Sequence, residues 1–399
     1  MNKVKLGDIT EYSNDRISSS KLTVENYVGT DNIRQNKTGK DNSQYVPTSG
    51  STIAYKKGDI LIANIRPYLK KIWFANNNGG SSADVSTIRV ANDKYLSEFV
   101  YYNLFQDSFF DYAMQGAKGS KMPRIDKQQI MNFPIADINI KSQTDIAKIL
   151  GNIDRKISIN DHINAELEAM AKTLYDYWFV QFDFPDETGK PYKTSGGKMV
   201  WNEELKRDVP EGWGVGTLLD IASYINGLPC QKFRPKDCDM LRVIKIREMH
   251  GGFSTESEFV SVDVPQRAII ENGDILFSWS ASLEVMIWTG GRGVLNQHIF
   301  KVTSKRYPKS FYYFQLVNYL QHFKMMAENR KTTMGHITQE HLQQSRVILP
   351  PEKLALDLER VIAPILQKKI NNEIENKKLA ELRDWLLPML MNGQVKVTQ

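Results

Sequence analysis

Two copies of one plan run through this chain, and that constrains its fold more than any single motif. At an offset of 212–215 residues, Leu6-Gly7-Asp8-Ile9 matches Leu218-Leu219-Asp220-Ile221. Lys57-Gly58-Asp59-Ile60-Leu61-Ile62 matches Asn272-Gly273-Asp274-Ile275-Leu276-Phe277, a Gly-Asp turn feeding an apolar strand. Gly119-Ser120-Lys121-Met122-Pro123-Arg124-Ile125 matches Lys331-Thr332-Thr333-Met334-Gly335-His336-Ile337, and Phe133-Pro134-Ile135 has its counterpart in Val347-Ile348-Leu349. Repetition on this scale implies a duplicated architecture, each half reading as about 140 residues of short strands, turns and a few helices before a long helical stretch.

The helical stretches carry a heptad. Every seventh residue from Ile146 gives Ile153, Asn160, Leu167 and Leu174; from Leu358 it gives Ile365, Asn372, Leu379 and Leu386. Ile149, Ile163, Met170, Val361 and Leu382 are expected to fill out two seams of a helix pair. Asn160 and Asn372 occupy the same step, where a buried amide sets register because a slipped pairing would place it against hydrocarbon. Gly151 and Pro364 are awkward for uninterrupted helices, and Pro388 marks a last turn. Between the halves, the Gly- and Pro-rich run from Phe184 to Trp213 reads as an ordered surface crossover without strands.

Composition is that of a globular chain: 399 residues, 41% apolar, 25% charged, net charge +6. Such a balance suits a polyanion partner without demanding one. No apolar run reaches a membrane span, and the first residues lack a signal peptide's apolar core, so a cytoplasmic protein is expected. Cys230 and Cys238 are too few for a disulfide framework and their spacing is not a zinc spacing. Neither a phosphate loop nor a Gly-x-Gly-x-x-Gly turn is present; Gly214-Val215-Gly216 is a fragment. The six histidines are scattered, and no metal site is expected. Pro185-Asp186 with Glu204-Leu205-Lys206 imitates the carboxylates and lysine of a Mg²⁺-dependent nuclease, the alternative reading along with a helical protein-docking scaffold.

The chain resembles the specificity subunit of Type I restriction-modification systems over its full length. The resemblance rests on Trp178-Phe179-Val180-Gln181-Phe182-Asp183-Phe184-Pro185, then Gly189-Lys190-Pro191-Tyr192, Gly196-Gly197-Lys198-Met199 and Pro210-Glu211-Gly212-Trp213. Ile146 to Ile157 looks like the family's helix opening, and Leu382-Arg383-Asp384-Trp385-Leu386-Leu387-Pro388 like its close; Lys141-Ser142-Gln143 departs from the usual Pro-Pro entry. The resemblance implies a mixed α/β fold: two target-recognition domains separated by an antiparallel pair of long coiled-coil-like helices, related by a pseudo-two-fold repeat. The expected bounds are 1–141 and 214–350 for the domains, 142–182 and 351–393 for the helices, 183–213 for the crossover and 394–399 for the tail. It further implies a DNA-reading subunit without catalysis, one domain per half-site, with the helices setting the distance between half-sites. Modification subunits, two of them, would bring S-adenosylmethionine; restriction subunits would bring ATP- and Mg²⁺-dependent translocation and cleavage. The chain itself would bind no cofactor.

Candidate readers come from loops where polar side chains meet turn residues. In the first half these are Asn32, Arg34, Asn64, Arg66, Tyr68, Lys70, Lys71, Lys118, Ser120, Lys121 and Arg124. Arg66 suits guanine and Asn64 adenine; Lys70 and Lys71 suit phosphates. In the second half they are Lys245, Arg247, Ser278, Ser280, Ser282, Asn296, Gln297, His298, Lys331, Thr332, Thr333 and His336. An isolated surface Arg or Lys is ordinarily just solvated, so repeat position is what raises these loops above the rest. Trp279 and Trp288 read as core aromatics rather than stacking platforms.

Overall fold

A computed structural model describes residues 2–119, 121–235, 239–280, 282–329 and 336–395. The chain divides into two units, Met1–Ile157 with Lys378–Gln399, and Ser158–Lys377.

In the first unit the Gly-Asp turn makes the central strand. Gly58 takes φ +92, a conformation that glycine adopts without strain, and the Asp59 carboxylate accepts the Lys56 N–H at 2.8 Å. Ile60–Ala63 then pairs antiparallel with Val85–Val90 on one side and Ile72–Phe74 on the other, with Thr10–Tyr12 beyond Val85–Val90. Its uninterrupted apolar run follows from burial on both faces. Ile60 and Ile62 enter the main core with Leu6, Ile88, Phe99 and Phe109, while Leu61 enters a smaller one with Val28, Tyr55 and Trp73. The smaller core lies against a second sheet, ordered Arg16–Ser18, Ser51–Tyr55, Gly79–Ser81, Tyr27–Val28.

The second unit repeats each step. Gly273 takes φ +90, Asp274 accepts the Glu271 N–H at 2.9 Å, and Ile275–Ser278 lies between Ile299–Thr303 and Glu284–Ile287. Ile275 and Phe277 face the main core; Leu276 faces a satellite core with Ile244 and Trp288. The turn aspartate meets a cation from the neighbouring strand in both units: Arg89 to Asp59 at 2.8 Å, Lys301 to Asp274 at 2.8 Å. Each unit also carries a four-residue helix, Leu6–Ile9 or Leu218–Ile221, whose third residue is the aspartate of the matched tetrapeptides. The copies diverge in the second sheet. Phe259–Ser261 extends it beside Met240–Ile244, whereas Arg16–Ser18 joins beside Ser51–Tyr55.

Two helices of 40 residues each, Ile140–Phe179 and Glu352–Met391, contribute to both units. They run through Gly151, Pro364 and Pro388 without interruption, correcting the expectation of breaks at the first two. A proline forfeits one hydrogen bond, and Leu358, Ile362, Leu366 and Ile370 on the buried face hold the helix across Pro364. The first helix is anchored by Gln143, fully buried, whose amide donates to the carbonyls of Lys94 and Ile138 and accepts the Leu96 N–H.

In the second unit the helices are antiparallel, with Asn160 facing Glu375 and Asn376, Asn164 facing Asn372, and Glu168 facing Lys369. The heptad is therefore real, but its outer positions are not: Ile163, Met170, Val361 and Leu382 are exposed. A heptad count identifies the seam, not which flanking positions a globular core will cover.

The crossover is ordered but not strand-free. Met199–Asn202 and Arg207–Pro210 form a hairpin. Its aromatic motif is a packing knot: Phe184 stacks between Tyr192 at 4.7 Å and Trp213 at 5.1 Å, and Phe182 meets Trp213 edge-on at 5.5 Å. The Arg207 guanidinium lies 4.5 Å above Phe182 and donates to the Val180 carbonyl.

Candidate nucleic-acid interface

Three loops meet in each unit, tied by the same backbone hydrogen bonds. In the first unit the Asn64 N–H donates to the Asp84 carbonyl at 2.8 Å and the Ile125 N–H to the Asn64 carbonyl at 2.8 Å. In the second, Trp279 N–H donates to His298 at 3.4 Å and Ile337 N–H to Trp279 at 2.9 Å. Residues following the central strand, residues before the next long strand, and the segment matched at Arg124 and His336 are thereby brought together.

The side chains on this shared frame differ. In the first unit Arg124 pairs with Asp84 at 2.9 Å, both partly exposed, and Lys118 with Asp126 at 3.2 Å. Arg66 stands in a left-handed turn, φ +54, with its N–H on the Pro123 carbonyl. Its guanidinium is exposed, as are Tyr68 and Lys121, and none of the three has a side-chain partner among the described residues. In the second unit the equivalent position holds an aromatic cluster. The Trp279 ring lies 5.6 Å from His298 and 5.5 Å from His336, both exposed, and its indole N–H donates to Asn226 at 3.1 Å. Gln297, half-buried, sits beside His298. Trp279 is thus half-buried at the loop junction, while Trp288 is a core residue.

Other expected readers are engaged internally. Asn32 is buried, accepting the Gly29 N–H and donating to the carbonyls of Tyr27 and Asp41. Asn64 is buried, accepting the Ser86 hydroxyl at 2.6 Å, so its amide is not offered to a base. Ser278, Ser280 and Asn296 are buried as well; the Ser278 hydroxyl donates to the Ser282 carbonyl, and Ser282 itself is exposed. Lys71 donates to the Thr30 carbonyl, and burial holds its ammonium below the usual lysine range. Lys70 is bound to Asp107 at 3.0 Å. These two lysines, expected to suit phosphates, brace the loop in this structure. Arg34 pairs with Asp41, Lys245 with Glu258, and Arg247 with buried Glu248 and with Glu256. Ser120, Lys331, Thr332, Thr333 and Cys238 lie outside the described residues.

The register residues have partners that the heptad count missed. Asn160 donates to Asn376 and Glu375, each at 2.8 Å, and Asn372 donates to Asn164 at 2.9 Å. Under the repeat, Asn160 exchanges with Asn372 and Asn164 with Asn376, so the two polar layers are images of one another. The signal was in the sequence as a second Asn four residues after each first one.

The nuclease-like triad does not assemble. Asp186 caps its own turn, accepting from Thr188 and Lys190; Glu204 pairs with Arg346, and Lys206 with Glu203. Among the described residues no three His, Cys, Asp or Glu side chains gather as a metal would require, and no helix is long and apolar enough to cross a membrane.

Comparison with known proteins agrees on one family. A sequence profile described as "Type I restriction modification DNA specificity domain" matches residues 1–169 and 210–384. The HindI Type I restriction enzyme specificity subunit of Haemophilus influenzae is 24% identical over 98% of both chains. The MjaIX specificity subunit of Methanocaldococcus jannaschii is 23% identical over 86% of this chain and 79% of its own. A crystal structure of the Type I restriction-modification S subunit from M. genitalium shares the fold, with TM-score 0.55 at 13% identity, covering 100% of this chain and 96% of that one.

Proposed function

Because the chain belongs to the Type I restriction-modification DNA specificity family, we propose that each of its units reads one half of a split, asymmetric DNA target through its three-loop cluster. As a specificity subunit, the chain supplies sequence recognition and is not itself the catalyst. One observation carries the two-reader assignment: the same pair of loop-tying hydrogen bonds recurs in both units while the side chains mounted on it differ. A shared frame with unshared side chains is what two independent readers of unlike half-sites need.

In the first unit, exposed Arg66 and Lys121, with Arg124 beside them, supply cations and a fork suited to guanine. In the second, Gln297, His298 and His336 around Trp279 supply hydrogen-bonding groups and aromatic surface in place of arginine and lysine. The chain acts in the cytoplasm with two modification subunits, which carry S-adenosylmethionine, and with restriction subunits, which carry ATP and Mg²⁺.

The test is modular exchange. Replacing residues 1–140 by the matching unit of a relative, in a host that also carries the modification subunits, should change one half of the methylated sequence mapped genome-wide and leave the other intact. Simultaneous change of both halves would refute the assignment.

A further inference from the structure

Two lysines from different loops of the first unit reach the same carboxylate. Lys37 Nζ lies 2.8 Å from Asp107 Oδ1, and Lys70 Nζ lies 3.0 Å from Oδ2. Lys70 ends the turn Pro67–Leu69 that begins at Arg66, and the Lys37 N–H donates to the Lys70 carbonyl at 3.0 Å. The Lys37 side chain is only 9% exposed, with its ammonium 4.9 Å above the Phe105 ring, so it is a strut and not a phosphate contact.

Backbone geometry shows what the strut holds. Six non-glycine residues among those described have positive φ, and four of them, Asn36, Lys37, Arg66 and Lys70, lie on these two loops. Residues with side chains populate that region sparsely, so neighbouring structure has to fix it. Burial alone would raise the Asp107 carboxyl, but the two ammonium groups outweigh it and hold it below the ordinary aspartate range. The carboxylate therefore stays charged throughout the neutral range.

We propose that Asp107, the first residue of the helix Asp107–Gln115, is a positioning residue for DNA reading: by gripping Lys37 and Lys70 together it sets the left-handed turn that presents Arg66 to a guanine edge. The inference rests on the loop-reading assignment made above. It applies to the first unit alone. At the repeat offset the second unit has Tyr319, whose hydroxyl donates to the Arg346 carbonyl, and its loop 279–283 has no lysine.

The experiment uses the full chain assembled with its modification subunits, bound to duplexes varied one base pair at a time in both half-sites. Arg66→Ala should lower discrimination at one base pair by about 5- to 150-fold, the range of a bidentate contact. Asp107→Asn should lower it at that same base pair by at least about 5-fold. It should leave the second half-site unchanged and add nothing to Arg66→Ala in the double variant, and Asp107→Glu should restore reading. Asp107→Asn that leaves the base pair fully discriminated, or that weakens every position of both half-sites alike, overturns the proposal. If Arg66→Ala is itself silent, the reading assigned to that loop fails and this inference falls with it. If Arg66→Ala is effective and Asp107→Asn silent, this inference alone falls. Should Asp107→Asn not fold, Lys70→Gln, which keeps the Lys37 pair, must show a smaller loss at the same base pair, and its silence is equally fatal.

Discussion

Asn164 and Asn372 offer a direct test of how the helix pair is held in the second unit. The two amides are buried, and one hydrogen bond of 2.9 Å joins them. In Asn372→Leu the Asn164 oxygen keeps its burial and loses that donor, which costs about 1–3 kcal/mol. The added apolar surface returns roughly 1 kcal/mol, so the net loss is at most about 2 kcal/mol. Asn164→Leu should behave alike. In the double variant no amide is orphaned, and stability should return to within about 1 kcal/mol of the parent, a departure from additivity of up to about 3 kcal/mol. The neighbouring Asn160–Asn376 layer is untouched in all three chains and keeps the register. Hydrogen exchange on residues 158–177, followed by mass spectrometry, reads this locally: each single variant should exchange roughly tenfold faster, the double close to parental rates. If the double loses the sum of the two singles, the amides do not compensate one another and the reasoning is wrong.

Arg383, buried in the first unit, donates to Asp154 at 2.7 Å, and Asp154 also accepts the Tyr102 hydroxyl. Each partner keeps a second contact when the other is removed, Arg383 to Asp384 at 2.9 Å and Asp154 to Tyr102 at 2.7 Å. Asp154→Leu and Arg383→Met should therefore each destabilise that unit by less than about 3–5 kcal/mol, the cost of a fully orphaned buried charge; a larger loss in melting experiments on either variant would refute this. The Cys230 thiol is pushed up to about 11, chiefly by burial. It should therefore resist iodoacetamide at pH 8 until the chain is unfolded, and rapid native labelling of Cys230 in peptide maps would contradict this. A heptad inserted into both long helices, after Asn160 and after Asn372, keeps the layers in step and adds ~10 Å. The gap in the methylated target should widen by about three base pairs, with activity reduced by the accompanying rotation of the DNA. An active variant that methylates the original spacing would show that the helices do not set it.

Local chemistry was legible in the sequence; long-range partnership was not. The Gly58-Asp59 and Gly273-Asp274 turns could be read because their backbone conformation and their caps lie within three residues. The seam of the helix pair could be read because its period is local as well. Lys70 and Lys71 look like phosphate contacts in sequence, since Asp107 and Thr30, which bind them, come from other segments; Thr30 lies 41 residues away. Asn64 looks like an adenine reader for the same reason, its partner Ser86 being supplied by a different strand. The convergence of residues 64, 84 and 125 depends on sheet order, which no window of sequence contains. Asn164 and Asn376 were within reach of a count that followed each helix's four-residue neighbours as well as its sevenths.

The last stretch of the chain completes the first unit. Leu387, Leu390 and Met391 are buried in the same core as Leu6, Phe105 and Ile146, so that core lacks part of its wall until residues 387–391 are in place. The first unit therefore cannot close its core before residues 387–391 exist, whereas Ser158–Lys377 is contiguous and whole before them. A stop after Lys377 would leave every residue of Ser158–Lys377 and strip Leu387, Leu390 and Met391 from the core of the first unit.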